Sequence, residues 1–541
     1  MSAPADPETV ALWRRRVAAD PADAAALYAL GTALWWSGLR EEAAAHLARA
    51  VALQPDNADA RTNLGNALTG LGRPAEAMPH LAAAAALRPD HAPSQYNLGN
   101  ALLAAGQAAE AAAQFRTALD LMPGHAGAHN NLGNALRALG RVEEALASYR
   151  CAVELRADLA GAHNNMGSAL LALHRPAEAL PALLEALRLN PDYAEACNNL
   201  GGALLALDRP EEAIVQFRRA VGLDASQVQA EFGESLALLT LGRYREGWEG
   251  YESRWRDPRF CEDERAYPMP RWHDAAADIG GRTVLLHAEQ GLGDTIQFVR
   301  YAPLVRRLGA QVVLEVQAPL LGLVQTFADR VIPAGADLPP CDFHCPLLSL
   351  PLAFRTDVPT IPAQIPYLRA DPARRAAWAE RLGPRRRMRV GLAISGSAEH
   401  PEDALRSIPA ALFAPLLALP DVDFHLVQKD VREPDMAVLR AAGRVTLHAD
   451  HLRDFTETAA LLGLLDLLVS VDTSAAHLGG ALGMPVWLLL QSNADFRWLR
   501  VREDSPWYPS MRLFRQSAPR RWEPVLARVA AALRERIAQR G

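Results

Sequence analysis

Small apolar residues, and one polar residue among them, recur at a fixed interval through the first half of the chain. Gly31, Gly65, Gly99, Gly133, Gly167 and Gly201 lie 34 residues apart. Two alanine rows keep the same phase: Ala43, Ala77, Ala111, Ala145, Ala179 and Ala213, then Ala50, Ala84, Ala118, Ala152, Ala186 and Ala220. Pro55, Pro89, Pro123 and Pro191 close several units. The polar row is Asn63, Asn97, Asn131, Asn165 and Asn199, each two residues before a glycine.

A 34-residue period with these small positions is the tetratricopeptide pattern, two antiparallel helices per unit. Small side chains let the helices approach, and each unit buries its open face on the next. About seven units fit from Ala24 to Cys261, so residues 1–261 are assigned to an α-solenoid. The seventh has Gly247 and Arg254 where the alanine rows would continue, and is read as a modified unit that docks onto the C-terminal half of the chain. Asparagine costs about half a kcal/mol against alanine in a helix interior. The amide row therefore has two readings: a ladder that grips the backbone of an extended acceptor through paired hydrogen bonds, or tolerated filler.

Past a linker (262–281), short apolar runs alternate with helical stretches. "TVLLHA" reads as a strand, "DTIQFVRYAPLVRRLG" as one helix and "QVVLEV" as the next strand, giving a first lobe over 282–370. A basic helical connector (371–389) follows, its Arg385–Arg387 cluster read as a solvated hinge. A second series, "RVGLAI", "DFHLVQ", "DLLVSV" and "PVWLLL", forms a second lobe over 390–518, and 519–541 is a C-terminal helix. Two such lobes are expected to bind ligand in a cleft at their strand C-terminal ends.

Composition narrows the chemistry. The chain has 541 residues and a net charge of -6, which gives no electrostatic case for nucleic acid or membrane partners. Five cysteines give no disulfide framework, which is the pattern of a reducing compartment. "CDFHC" (Cys341–Cys345) lacks a second ligand pair and is read as buried loop thiols, so no metal or cofactor is expected. The segment "MSAPADPETVALWRRR" lacks the apolar core of a signal peptide, and no run approaches the length of a membrane span. The expected location is the cytoplasm.

Two segments carry candidate chemistry. In "LLHAEQGLGDTIQFVRY" a strand runs into Gly291 and Gly293 and then a helix, as in phosphate cradles, yet Asp294 stands where an anion would sit. In "DLLVSVDTSAAHLGGALGMPVWLLL", Asp472 is placed to cap a helix, and Thr473 and Ser474 offer hydroxyls and free backbone N–H groups, with His477 one turn on. Lys429, the only lysine, follows the strand "DFHLVQ" on the same side, and Arg406 follows the strand of "VGLAISGS". Both suit phosphate oxygens. "DVD" (Asp421–Asp423) begins its strand and so lies at the wrong end for the cleft.

"EQGLGDTIQFVRY" and "SVDTSAAHLGGALGMPVWLLL" resemble the two signature segments of the ADP-heptose:lipopolysaccharide heptosyltransferase family, in a bacterial branch fused to tetratricopeptide repeats. The likeness covers about 280–515 and includes "SPWYPSMRLFRQ". It implies a two-lobed GT-B fold and an inverting, metal-independent sugar transfer from a nucleotide sugar. It implies Asp294 as general base, with Gly291 and Gly293 letting an acceptor approach, and Asp472, Thr473, Ser474 and His477 holding the donor. The repeats resemble those of protein O-GlcNAc transferases, whose asparagine ladder grips acceptor polypeptide. This implies acceptor roles for Asn63, Asn97, Asn131, Asn165 and Asn199. The chain departs from the family where Ile394, Ser395 and Gly396 replace Trp-Ala-Gly, and where Ser474 replaces glycine. Two functions stand open: a transferase whose repeats recruit the acceptor, and a scaffold whose transferase-like domain only binds.

Overall fold

The structure, a computed structural model, describes residues 7–261, 265–397 and 403–539. The chain forms two compact units, Met1–Ala203 and Leu204–Gly541.

In the first unit, a helix at Pro7–Ala19 precedes a series of antiparallel pairs: Ala24–Trp36 with Arg40–Leu53, Ala58–Gly70 with Pro74–Leu87, Ala92–Ala104 with Ala108–Leu121, Ala126–Ala138 with Val142–Leu155, and Ala160–Ala172 with Pro176–Leu189. The opening helix carries no trace of the period. Its Val10 and Val17 pack with Leu27, Leu30 and Leu34, so it covers the open face of the first pair. The glycine row has a contact reason. A Cβ on Gly99 would lie 2.6 Å from the Phe115 ring, and one on Gly133 would lie 2.5 Å from Tyr149. From Gly31 through Gly167, each glycine of the row thus lets the first helix of a unit rest on a large, fully buried side chain of the second.

The second unit opens with the helices Pro210–Leu223, Val228–Thr240 and Tyr244–Tyr251, and then builds two parallel sheets. The first contains β1 (Thr283–His287), β2 (Gln311–Val316), β3 (Arg330–Pro333) and β4 (Phe343–Pro346), in the order β3-β2-β1-β4. The second contains β5 (Met388–Ala393), β6 (Val422–Leu426), β7 (Val445–Leu447), β8 (Leu467–Val471), β9 (Val486–Leu490) and β10 (Met511–Arg515), in the order β10-β9-β8-β5-β6-β7. Every residue of β8 and β9 is buried, which is why they read as unbroken apolar runs. The chain order reverses between β1 and β4 and again between β5 and β8. Open α/β sheets bind ligands in the crevice at such points.

Several expectations change in physical detail. The single helix expected from Asp294 to Gly309 is broken into Leu292–Phe298, a 3-10 turn at Val299–Tyr301, and Ala302–Arg307. Pro303 has no N–H to give the ladder there. The linker, from Arg265 on, is seated against the first sheet: Trp272 N–H donates to the His344 carbonyl at 2.8 Å, and His344 N–H to that of Pro270 at 3.1 Å. The basic cluster is no free hinge, because Arg385 pairs with the buried Asp466 and Arg387 lies 3.7 Å from Asp423.

Arg254, standing in the phase of an alanine row, explains the modified seventh repeat. Its side chain has no exposed surface, and it meets both carboxylate oxygens of Glu289, at 2.9 and 3.0 Å. It also donates to Ser349 Oγ at 2.8 Å, to Glu252 at 2.8 Å and to the Tyr251 carbonyl at 3.0 Å. Around it, Trp248 packs edge-on against Phe298 and Phe496. Glu289 belongs to the "EQGLGD" segment, so part of that signature anchors the last repeat to the first sheet. Among the described residues no helix is long and apolar enough to cross a membrane.

Candidate functional site

A cavity of about 770 Å³ lies where the carboxyl ends of the two sheets meet. The structure brings Gly291, Gly293, Asp294, Arg406, Lys429, Asp472, Thr473, Ser474 and His477 together in its wall. The asparagine row belongs to the first unit, apart from the Asn199 helix that runs past its end.

After β8 the chain turns into the Ser474–Ala481 helix, and the N-cap is Thr473 rather than Asp472. The Asp472 carboxylate turns instead to Trp498, accepting from Nε1 at 2.7 Å, and stands 3.8 Å from His477 Nε2. Burial, and then the neighbouring Asp495 carboxylate, push Asp472 up to about 6. His477 shares a 3.0 Å hydrogen bond between Nδ1 and the Tyr508 hydroxyl, and burial holds it well below the usual imidazole range. It therefore contributes packing and hydrogen bonding, not charge. Thr473, Ser474 and Ala475 line the cavity at the start of this helix, where the first backbone N–H groups have no acceptor in the helical ladder.

Lys429 stands exposed three residues past β6. Arg406 lies across the backbone of Gly396, where a Cβ would come 2.8 Å from its guanidinium carbon. The altered "AISGS" segment thus makes room for a cation. Gln428 shapes the same segment, accepting from Ile394 N–H at 2.6 Å and donating to Ser395 Oγ at 2.8 Å.

On the opposite wall, Asp294 caps its own helix: Oδ2 accepts from Gly291 N–H at 2.9 Å. Its other oxygen accepts from Arg497 Nη2 at 2.5 Å. Gly293 also answers to a neighbour, since a Cβ there would lie 2.9 Å from the His477 ring. Gly291 has an ordinary backbone, with φ of −68°. Arg497 escaped the sequence reading; its only local signal is a basic residue two past Asp495, after the strand "PVWLLL".

The asparagine row turns inward on itself. Asn131 Nδ2 donates to Tyr96 at 3.1 Å and to Asn100 at 2.8 Å, both in the preceding repeat. Asn165 repeats this with Asn130 and Asn134, and Asn63 with Tyr28 and Thr32. Asn199 donates to Asn164 at 2.8 Å. These amide donors link one repeat to the next. No bond defines the role of Asn97.

"CDFHC" runs into β4 rather than lying in a loop. Cys345 is buried in β4, Cys341 is partly exposed, and His344 Nδ1 meets His287 Nε2 at 3.1 Å under the stacked ring of Tyr267. Burial lowers both imidazoles, His287 to about 3 and His344 to about 4. Among the described residues no group of three potential ligands could hold a metal ion.

The helix pairs and their contacts define a tetratricopeptide solenoid in the first half, joined in sequence to an α/β domain of two parallel sheets. Tetratricopeptide-repeat family profiles match residues 28–92 and 164–228, 133–173, and 102–150. The protein FlbA of Caulobacter vibrioides is 31% identical over 334 residues, covering 56% of this chain and 55% of FlbA. The chain thus spans little more than half the length of that curated relative. Solved structures similar to the repeats include the APC/C hetero-tetramer Cut9-Hcn1 (18% identity, 43% of this chain and 46% of that one, TM-score 0.39). Another is pilF of Pseudomonas aeruginosa (18% identity, 39% and 96%, TM-score 0.35). A third is a thermophilic tetratricopeptide protein of Thermus thermophilus (24% identity, 34% and 99%, TM-score 0.30).

Proposed function

We propose that the second unit is a GT-B type glycosyltransferase domain that takes a sugar from a nucleotide diphosphate sugar, with inversion and without a metal. The repeats recruit a protein or peptide acceptor. The observation that carries this reading is the convergence of Lys429, Arg406 and the N-terminus of the Ser474–Ala481 helix on one cavity that Asp294 faces from the other sheet. A diphosphate seated there gains from the helix dipole, on the order of 1 kcal/mol, and from two cations. Asp294 takes the proton of the acceptor hydroxyl, the acceptor oxygen bonds to the sugar's anomeric carbon, and the bond to the diphosphate breaks with its electrons leaving on phosphate. The cations and the helix N-terminus stabilise that charge.

One observation favours a second reading, a repeat scaffold with a binding domain that does no chemistry: both Asp294 oxygens are already hydrogen-bonded. A thermal-shift screen of nucleotide sugars, followed by mass spectrometry of acceptor proteins incubated with any stabilising donor, separates the two. A donor at 100 times its dissociation constant should add roughly 2.7 kcal/mol. Asp294→Asn should then abolish transfer while nucleotide binding stays within a few-fold. Full transfer by that variant would remove Asp294 as the base, and binding without transfer in the parent would favour the scaffold.

A further inference from the structure

One buried cation joins the two walls of the cavity. The Arg497 side chain is 9% exposed, and all three of its guanidinium nitrogens are engaged. Nη2 donates to Asp294 Oδ1 at 2.5 Å, Nη1 to Asp495 Oδ1 at 2.8 Å, and Nε to Gln297 Oε1 at 2.8 Å. The guanidinium carbon sits 4.4 Å from the ring centroid of Phe496 and 5.6 Å from that of Phe298, so aromatic rings close it in. Asp294 and Gln297 belong to the helix after β1, while Asp495 and Arg497 follow β9. A planar fork can hold these three acceptors at once, which an ammonium cannot do in the same geometry.

We propose that Arg497 is a positioning residue for the cavity: it holds the Asp294 carboxylate across the two sheets and, being shared with Asp495, sets how readily that carboxylate takes a proton. The use made of Asp294 rests on the transferase reading, but the hold is a property of the protein alone. Among the described residues, the groups facing the pair include Asp495, Asp472, His477 and Tyr251. His477 is neutral, and burial raises the Tyr251 phenol, so neither competes for Asp294 as a charge. Asp495 is the rival carboxylate, and removing it leaves Arg497 to Asp294.

The test is the pH profile of carbodiimide labelling at Asp294, read by peptide mass spectrometry, with the exposed Asp421 as internal control. Protonated carboxyls are the reactive form. Arg497→Gln should move the Asp294 profile to higher pH, with labelling at pH 6 roughly tenfold faster. Arg497→Lys should return part of that shift, since it restores charge without the fork. Asp495→Asn should move the profile the other way and slow labelling below the parent. If Arg497→Gln does not fold, Arg497→Lys and Asp495→Asn still decide. An Asp294 profile that tracks the parent in the folded variants overturns the proposal. The donor reading fails differently: nucleoside diphosphates and nucleotide sugars would not bind the parent, and the labelling result would stand.

Discussion

Asp472 shows at the scale of one residue how the cavity wall is poised. Burial, with Asp495 beside it, raises its carboxyl to about 6 from the ordinary 3.8. A carboxyl that holds its proton more tightly folded than unfolded adds stability at acid pH, and that stability is lost as pH climbs from about 4 through 6. At neutral pH the ionised form is a strain of on the order of 1–3 kcal/mol. Asp472→Asn, which cannot ionise and keeps an acceptor for Trp498, should therefore melt higher than the parent at pH 8 and little differently at pH 4. Melting curves at the two pH values check this. A variant that gains nothing at pH 8 would mean that Asp472 is well solvated in the folded chain. The local sequence allowed Asp472 a capping role, because an aspartate before a helix is equally compatible with a cap. Only the Trp498 indole, 26 residues on, draws it away.

At the scale of an element, the asparagine ladder changes meaning once its partners are seen. Propensity alone makes Asn131→Ala with Asn165→Ala neutral or mildly stabilising. The structure adds four inter-repeat hydrogen bonds that the pair would lose. At about 0.5–1.5 kcal/mol each, less about 1 kcal/mol of regained propensity, the double variant should lose on the order of 1–5 kcal/mol. Urea unfolding followed by circular dichroism measures it. An unchanged midpoint would return the row to filler and leave the amides available for an acceptor. The 34-residue spacing made the solenoid legible, because it repeats a contact, such as Gly133 on Tyr149, from Gly31 through Gly167. The same spacing could not say whether a polar row faces a partner or the next repeat, since both have the same period. The opening helix at Pro7–Ala19 and the three-residue strand β7 carry no period and were invisible.

Across the whole molecule, long-range ion pairs do what the pattern could not announce. Arg254 stood out in the sequence as a charge in a small-residue row, so docking of the last repeat was readable, but its acceptor Glu289 was not. Arg497 had no such mark, and Asp294 lies 203 residues before it. Breaking a buried pair leaves an uncompensated charge, typically costing about 3–5 kcal/mol. Arg254→Met should destabilise by that order, and adding Glu289→Gln should recover much of the loss. Guanidinium unfolding of the two variants compares them. A single variant as stable as the parent would place the anchor in the aromatic cluster around Trp248 instead.

Whether the cavity between the sheets receives a diphosphate is measured most directly by calorimetric titration of nucleosides and nucleoside diphosphates into the parent and Lys429→Ala. The parent should bind at least one diphosphate more tightly than its nucleoside. Lys429→Ala should weaken the diphosphate severalfold or more while leaving the nucleoside nearly unchanged. Equal affinity of the parent for both ligands, or equal loss for both in the variant, would contradict a diphosphate site there.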